Sequence, residues 1–274
     1  MLLLTYRVKA RNTALDSENK IHDDAVAAAY GFKGGLVPGV TVYAYMTAPI
    51  VSKYGLKWLE RGSMQVRFLK PIYDGEDAVV RAEVEAVDGL TEATMRVERK
   101  DGRLCATGTA WLGDRPNPLG EPRIESFAKC PLPCEADRAD ACPEAFVPGA
   151  PLGTISEMMD LGDTTAIDAI QDRLTFYRGA AAVAHPYVLL SLSNQALMRN
   201  FKLGPWIHVG SELVNWSTAR HGDLISVRSR IRDCFERGGH EFVVMDVLLI
   251  ANSSRIVQQV RHTAIYRPKL TERT

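Results

Sequence analysis

His22 is a side chain that titrates near neutral pH, and it ends the polar run Ser17-Glu18-Asn19-Lys20-Ile21-His22. An imidazole takes up or releases a proton under ordinary conditions, which is the requirement for general acid or base work. Asp16 stands just ahead of the run as a second proton carrier. Asn19 is an amide able to position a water or pin the loop, and Ser17 offers a hydroxyl for the same tasks. Downstream, Val37-Pro38-Gly39 opens an apolar run that continues to Tyr54. If that run is a helix, the Gly39 amide lacks an intrahelical acceptor and sits at the positive end of the dipole, with no side chain to block close approach. A proton carrier near a helix-end donor is suited to reactions in which negative charge develops on a carbonyl oxygen. Each residue also has a plainer reading: His22 as a cap or surface residue, and Gly39 as the gap that lets a helix pack tightly on a sheet.

Holding such groups in place needs a rigid helix and a support for it. Residues 39–54 read as a buried apolar helix, in which Pro49 is tolerable only near an end or at a kink. A short strand at 4–10 precedes it, with a short helix at 24–30 begun or capped by Asp23 and Asp24. Valine-rich, alternating segments follow at 63–72, 78–87, 91–99 and 103–112, with Asp88-Gly89 and Asp101-Gly102 as turns. That is a helix followed by an antiparallel meander. Eight of the fourteen prolines then fall between Pro116 and Pro151, a density that excludes continuous helix or central strand and marks a linker or cover loop. Beyond it the same order returns: a helix at 186–201, then strands at 210–216, 224–233, 241–252 and 256–267.

The two halves align at an offset of 148 residues, which pairs Val37-Pro38-Gly39 with His185-Pro186-Tyr187 and Gly62-Ser63 with Gly210-Ser211. With small slippage, Tyr73-Asp74-Gly75-Glu76-Asp77 matches Arg220-His221-Gly222-Asp223, and Gly108-Thr109-Ala110-Trp111 matches His262-Thr263-Ala264-Ile265. This predicts a tandem duplication of an α+β unit: residues 1–115, a Pro-rich linker at 116–151, and residues 152–274. Ile170 occupies the place of His22 in the second copy, so the site is expected in the first half and the second half as scaffold. His185 reads as a helix-start residue.

Composition removes other classes. Thirty-three basic and thirty-three acidic residues cancel, so no bulk charge favours nucleic acid or an anionic membrane. Met1-Leu2-Leu3-Leu4 is too short for a signal core and no run is long enough to span a membrane, so a cytoplasmic protein is expected. The five cysteines include a cluster at Cys130, Cys134 and Cys142, but no fourth ligand at suitable spacing is present, and no metal site is expected. There is no phosphate-binding Gly-Lys-Ser/Thr loop and no Gly-x-Ser-x-Gly elbow.

A duplicated helix wrapped by a meander resembles the double hotdog fold, and the motif residues resemble the MaoC-like dehydratases and (R)-specific enoyl-CoA hydratases. That family carries Asp-x-Asn-Pro-x-His, then a glycine at the helix start, then a Phe-x-x-Pro strand with a Gly-Asp-like turn. Here the matching residues are Ser17 to His22, Gly39, Phe68-Leu69-Lys70-Pro71 and Asp74-Gly75-Glu76-Asp77. Val37-Pro38-Gly39-Val40 also resembles the helix mouth of β-hydroxyacyl-carrier-protein dehydratases, although Tyr43 and Ala44 stand where those carry an acid. The chain departs from the pattern at two points: Ser17 replaces the aspartate, the nearest acid being Asp16, and Lys20 replaces the proline.

The resemblance implies antiparallel sheets each wrapped around a long central helix. It implies reversible hydration of a 2-enoyl thioester, or dehydration of a 3-hydroxyacyl thioester, in fatty-acid metabolism. The partner is an acyl-CoA or acyl-carrier-protein thioester, with no cofactor. His22, Asp16 and Asn19 are the implied catalytic set, Gly39 the oxyanion donor, and Ser17 a holder of water or loop. Lys33, Arg67 and Lys70 are the candidates to meet a phosphopantetheine or nucleotide phosphate. A homodimer of double hotdogs is one open assembly. The alternatives are a hotdog acyl-CoA thioesterase and a non-catalytic acyl-thioester-binding subunit.

Overall fold

The computed structural model describes residues 1–270. The first half runs β1 (Leu2–Lys9), α1 (Asp24–Ala29), α2 (Gly39–Tyr54), α3 (Leu56–Arg61), β2 (Ser63–Phe68), β3 (Asp77–Val87), β4 (Leu90–Arg99) and β5 (Leu104–Leu112). There follow β6 (Ala139–Asp140), β7 (Ile155–Met158), α4 (Thr165–Ala169), α5 (Pro186–Met198), β8 (Phe201–Lys202), β9 (Ile207–Asn215), β10 (Leu224–Arg237), β11 (His240–Ala251) and β12 (Arg255–Arg267).

Ten strands form one antiparallel sheet in the order β1-β3-β4-β5-β2-β9-β12-β11-β10-β7. The order is a mirrored repeat, each half supplying five strands, and the halves meet where β2 pairs with β9 through Val66 and Ser211. β6 and β8 form a separate two-stranded parallel pair.

The two long helices are wrapped because they leave little polar surface to show. Every residue from Val40 to Val51 of α2 is buried, so the helix needs apolar cover on all sides. It packs against β1, β3, β4, β9 and α5, while α5 packs on β8, β10, β11 and β12. The helix runs unbroken through Pro49 to Tyr54. Asp88 and Gly89 both take positive φ, 51° and 82°, and close the β3–β4 hairpin as an Asp-Gly pair should.

The strand expected at 63–72 stops at Phe68. The amides of Leu69 and Lys70 both converge on the Cys105 carbonyl, and this takes the chain out of the ladder before Pro71. β7 escapes a sequence reading because it is a four-residue edge strand with only Ile155 buried. The Pro-rich segment folds as a strap over the second half. Phe127 packs on Leu248 and Ile250, Phe146 meets the rings of Phe201 and Tyr266, and Arg228 donates to the Phe127 carbonyl. The strap explains why Val247 to Ala251 in β11 are buried one after another instead of alternating: both faces of the strand are covered. No helix of the described residues is long and apolar enough to cross a membrane.

Candidate active site

The loop between β1 and α1 is laid against the mouth of α2 by short polar contacts. The Arg11 amide donates to the Tyr45 hydroxyl at 3.0 Å, and the Thr13 and Thr41 hydroxyls are 2.7 Å apart. The Asn12 amide side chain donates to the His22 carbonyl at 2.9 Å, closing the loop on itself. Ser17 Oγ accepts from the Asn19 amide at 3.1 Å, so its hydroxyl shapes the turn that leads into the motif. A 3-10 turn follows at Lys20–His22, and Asp23 caps α1 by accepting from the Val26 amide.

His22 is held at one nitrogen and open at the other. Nδ1 lies 2.7 Å from the Leu36 carbonyl, an acceptor only, so Nδ1 carries the hydrogen and Nε2 carries the lone pair. Nε2 is 3.4 Å from the Asn19 side-chain amide, a long contact that leaves the lone pair largely available. Burial lowers the imidazole below its ordinary value, with the Leu36 bond acting against it, so the neutral ring is favoured at neutral pH.

Asn19 is buried and spans the two halves. Its Oδ1 accepts from the amides of Ile21 and Trp206, at 3.3 and 3.1 Å, and its Nδ2 donates to the Trp206 carbonyl at 2.9 Å. Of the two tasks open to it from the sequence, this geometry uses it to pin the loop.

His22 lines a cavity of about 440 Å³ together with Asp16, Ser17, Asn19, Pro38 and Val40 from the first half. Asp16 is exposed, and the two side-chain bonds of His22 go to Leu36 and Asn19, not to Asp16. The opposite wall comes from α5: Tyr187, Ser191, Asn194, Gln195 and Met198, with Trp206 beyond. Those five helix positions recur at helical spacing on one face, and a polar stripe on an apolar helix is a signal the sequence did contain. Reading it requires knowing that the two halves face each other.

Gly39 lies between the cavity residues Pro38 and Val40 at the first turn of α2. A Cβ there would come within 2.9 Å of both His208 Nδ1 and Phe68 Cε2, so the glycine also permits close packing of helix on sheet. His208 belongs to a buried chain under the helix mouth. Its Nε2 is 2.9 Å from Ser211 Oγ, which is 3.2 Å from His262 Nδ1.

The other singled-out residues lie elsewhere. Lys33 and Lys70 are exposed, Arg67 lines grooves on the outer face of the sheet, and none of the three borders the His22 cavity. His185 caps α5 by accepting from the Tyr187 amide, and its other nitrogen meets Asp172 at 3.1 Å, so both ring nitrogens are committed. Ile170 is core. Cys130, Cys134 and Cys142 are free thiols, and the described residues contain no group of three or more metal-ligating side chains.

No family model and no curated protein matches the sequence. Solved structures do match over nearly the whole chain. A Chloroflexus aurantiacus MaoC domain protein assigned as a dehydratase superposes with a TM-score of 0.70 at 9% identity, covering 98% of this chain and 95% of that one. A Mycobacterium tuberculosis protein with a double hotdog fold gives 0.67 at 16% identity, over 96% and 95%. A Novosphingobium aromaticivorans protein assigned as a thioesterase gives 0.55 at 14% identity, over 96% of each chain. Two buried helices wrapped by the two halves of one antiparallel sheet make this chain a double hotdog protein.

Proposed function

We propose that the cavity between the first-half loop and α5 is the active site of a MaoC-like hydratase or dehydratase of acyl thioesters, acting in the cytoplasm in fatty-acid metabolism. The observation that carries this reading is His22, fixed through Nδ1 with its Nε2 lone pair on the cavity wall, engaged only by the long 3.4 Å contact to Asn19. In the hydration direction, a water gives one proton to Nε2 as its oxygen bonds to C3 of the enoyl thioester. The double-bond electrons shift toward the thioester oxygen, where the Gly39 amide at the helix mouth donates to the developing charge. The imidazolium then returns the proton to C2, and the net change is addition of water. Asp16, or a water held by it, stands in for the aspartate that Ser17 replaces, orienting the attacking water. Dehydration is the same path reversed.

Asp16 supports a second reading. An exposed carboxylate on the cavity wall can act as a base toward water, and a hotdog acyl-CoA thioesterase would use that water against the thioester carbon. Incubation with a crotonyl thioester separates the two. Loss of the enoyl absorbance without thiol release supports the hydratase. Free thiol supports the thioesterase, and binding without either product contradicts both.

A further inference from the structure

A second cavity, of about 410 Å³, adjoins the first and shares Asn19, Met198 and Trp206 with it. Its distinctive wall is Arg138, from the strap between the halves. The guanidinium is largely buried but unpartnered: the side chain is 15% exposed, and Nε is buried with no hydrogen-bond partner. Its charge partner is Glu18 at 3.6 Å, a residue whose side chain is 70% exposed. An ion pair of that length to a solvated carboxylate contributes little, so most of the donor capacity of Arg138 is unspent. The parallel pairing of Ala139 with Phe201 and Asp140 with Lys202 anchors the strap directly after Arg138, and Lys202 borders the same cavity.

We infer that Arg138, assisted by Lys202, binds the phosphate of the pantetheine arm that carries the acyl group, displacing Glu18. A guanidinium fork takes a phosphate in two parallel bonds, which a solvated carboxylate at 3.6 Å does not match. The arm would pass over Trp206 and Met198, leaving the thioester in the His22 cavity. Glu18 and the exposed Glu135 oppose an anion here, so removing Glu18 strengthens binding. The inference rests on the acyl-thioester reading of the site but not on turnover.

Binding of pantetheine, 4′-phosphopantetheine and coenzyme A by calorimetry to the wild-type chain, Arg138→Gln and Glu18→Gln tests it. Arg138→Gln should weaken both phosphate-bearing ligands about tenfold or more and leave pantetheine unchanged, while Glu18→Gln should tighten the same two. Arg138→Lys, which keeps the charge but loses the fork, should fall between. The inference is overturned if the phosphate adds nothing to wild-type affinity or if Arg138→Gln weakens all three ligands alike. Phosphate-dependent binding without hydration would sink the hydratase reading and leave this one standing.

Discussion

At the scale of single residues, the proposed chemistry depends on which nitrogen of His22 carries the lone pair. The Leu36 carbonyl fixes the hydrogen on Nδ1, and burial keeps the ring neutral, so Nε2 is a base at neutral pH and remains one on mild acidification. The acid limb of kcat/KM should therefore lie below 6.5, the ordinary histidine value, in a pH–rate profile; a limb at or above it would contradict the assigned environment. Gly39 serves packing as well as the proposed oxyanion role. Gly39→Ala puts a Cβ against His208 and Phe68 and should cost about 1–3 kcal/mol in urea denaturation, with unchanged stability pointing to a looser helix mouth.

Among the elements, Asn19 joins the loop between β1 and α1 to the second half through both its amide atoms. Asn19→Ala leaves the Trp206 amide and carbonyl without those partners and should lower stability by about 1–3 kcal/mol in chemical denaturation. A loss confined to activity, with stability intact, would return Asn19 to a water-positioning role. This also shows what was legible in the sequence. Alternation, the Asp-Gly turns and the offset of 148 mark both helices and both meanders, because local period and turn chemistry are written residue by residue. That His22, Asn19 and the helix mouth at Gly39 come together follows from the same local pattern, since all three lie within a short stretch of chain. The wall built from Tyr187, Ser191, Asn194 and Gln195 was not legible, since its meaning depends on α5 facing a loop far away in the chain. The placement of Arg138 on a cavity wall is equally illegible: a Pro-rich strap carries no periodicity that says which cavity it will reach.

For the whole molecule, one continuous sheet ties the halves together, and the duplicated scaffold buries histidines at its centre. His185, His208 and His262 all lie below their ordinary value of 6.5 because burial penalises the charged ring, and His262 falls to about 3. Below pH 6.5 the unfolded chain takes up protons that the folded chain refuses. Stability is thus at its fullest above that value and declines as pH falls toward the folded values. Each histidine contributes a slope of up to about 1.4 kcal/mol per pH unit. Urea midpoints should drop between pH 7 and pH 5, and His262→Leu should flatten the drop; a wild-type midpoint that does not move would contradict the buried, neutral state of these rings.

The central claim, that His22 transfers the proton in addition of water to an enoyl thioester, is tested most directly by the crotonyl-CoA hydration rate of His22→Ala beside the wild-type chain. The expected result is measurable wild-type hydration and a fall of about a hundredfold or more in kcat/KM for the variant, with its fold intact by circular dichroism. Equal hydration by the two proteins would contradict it.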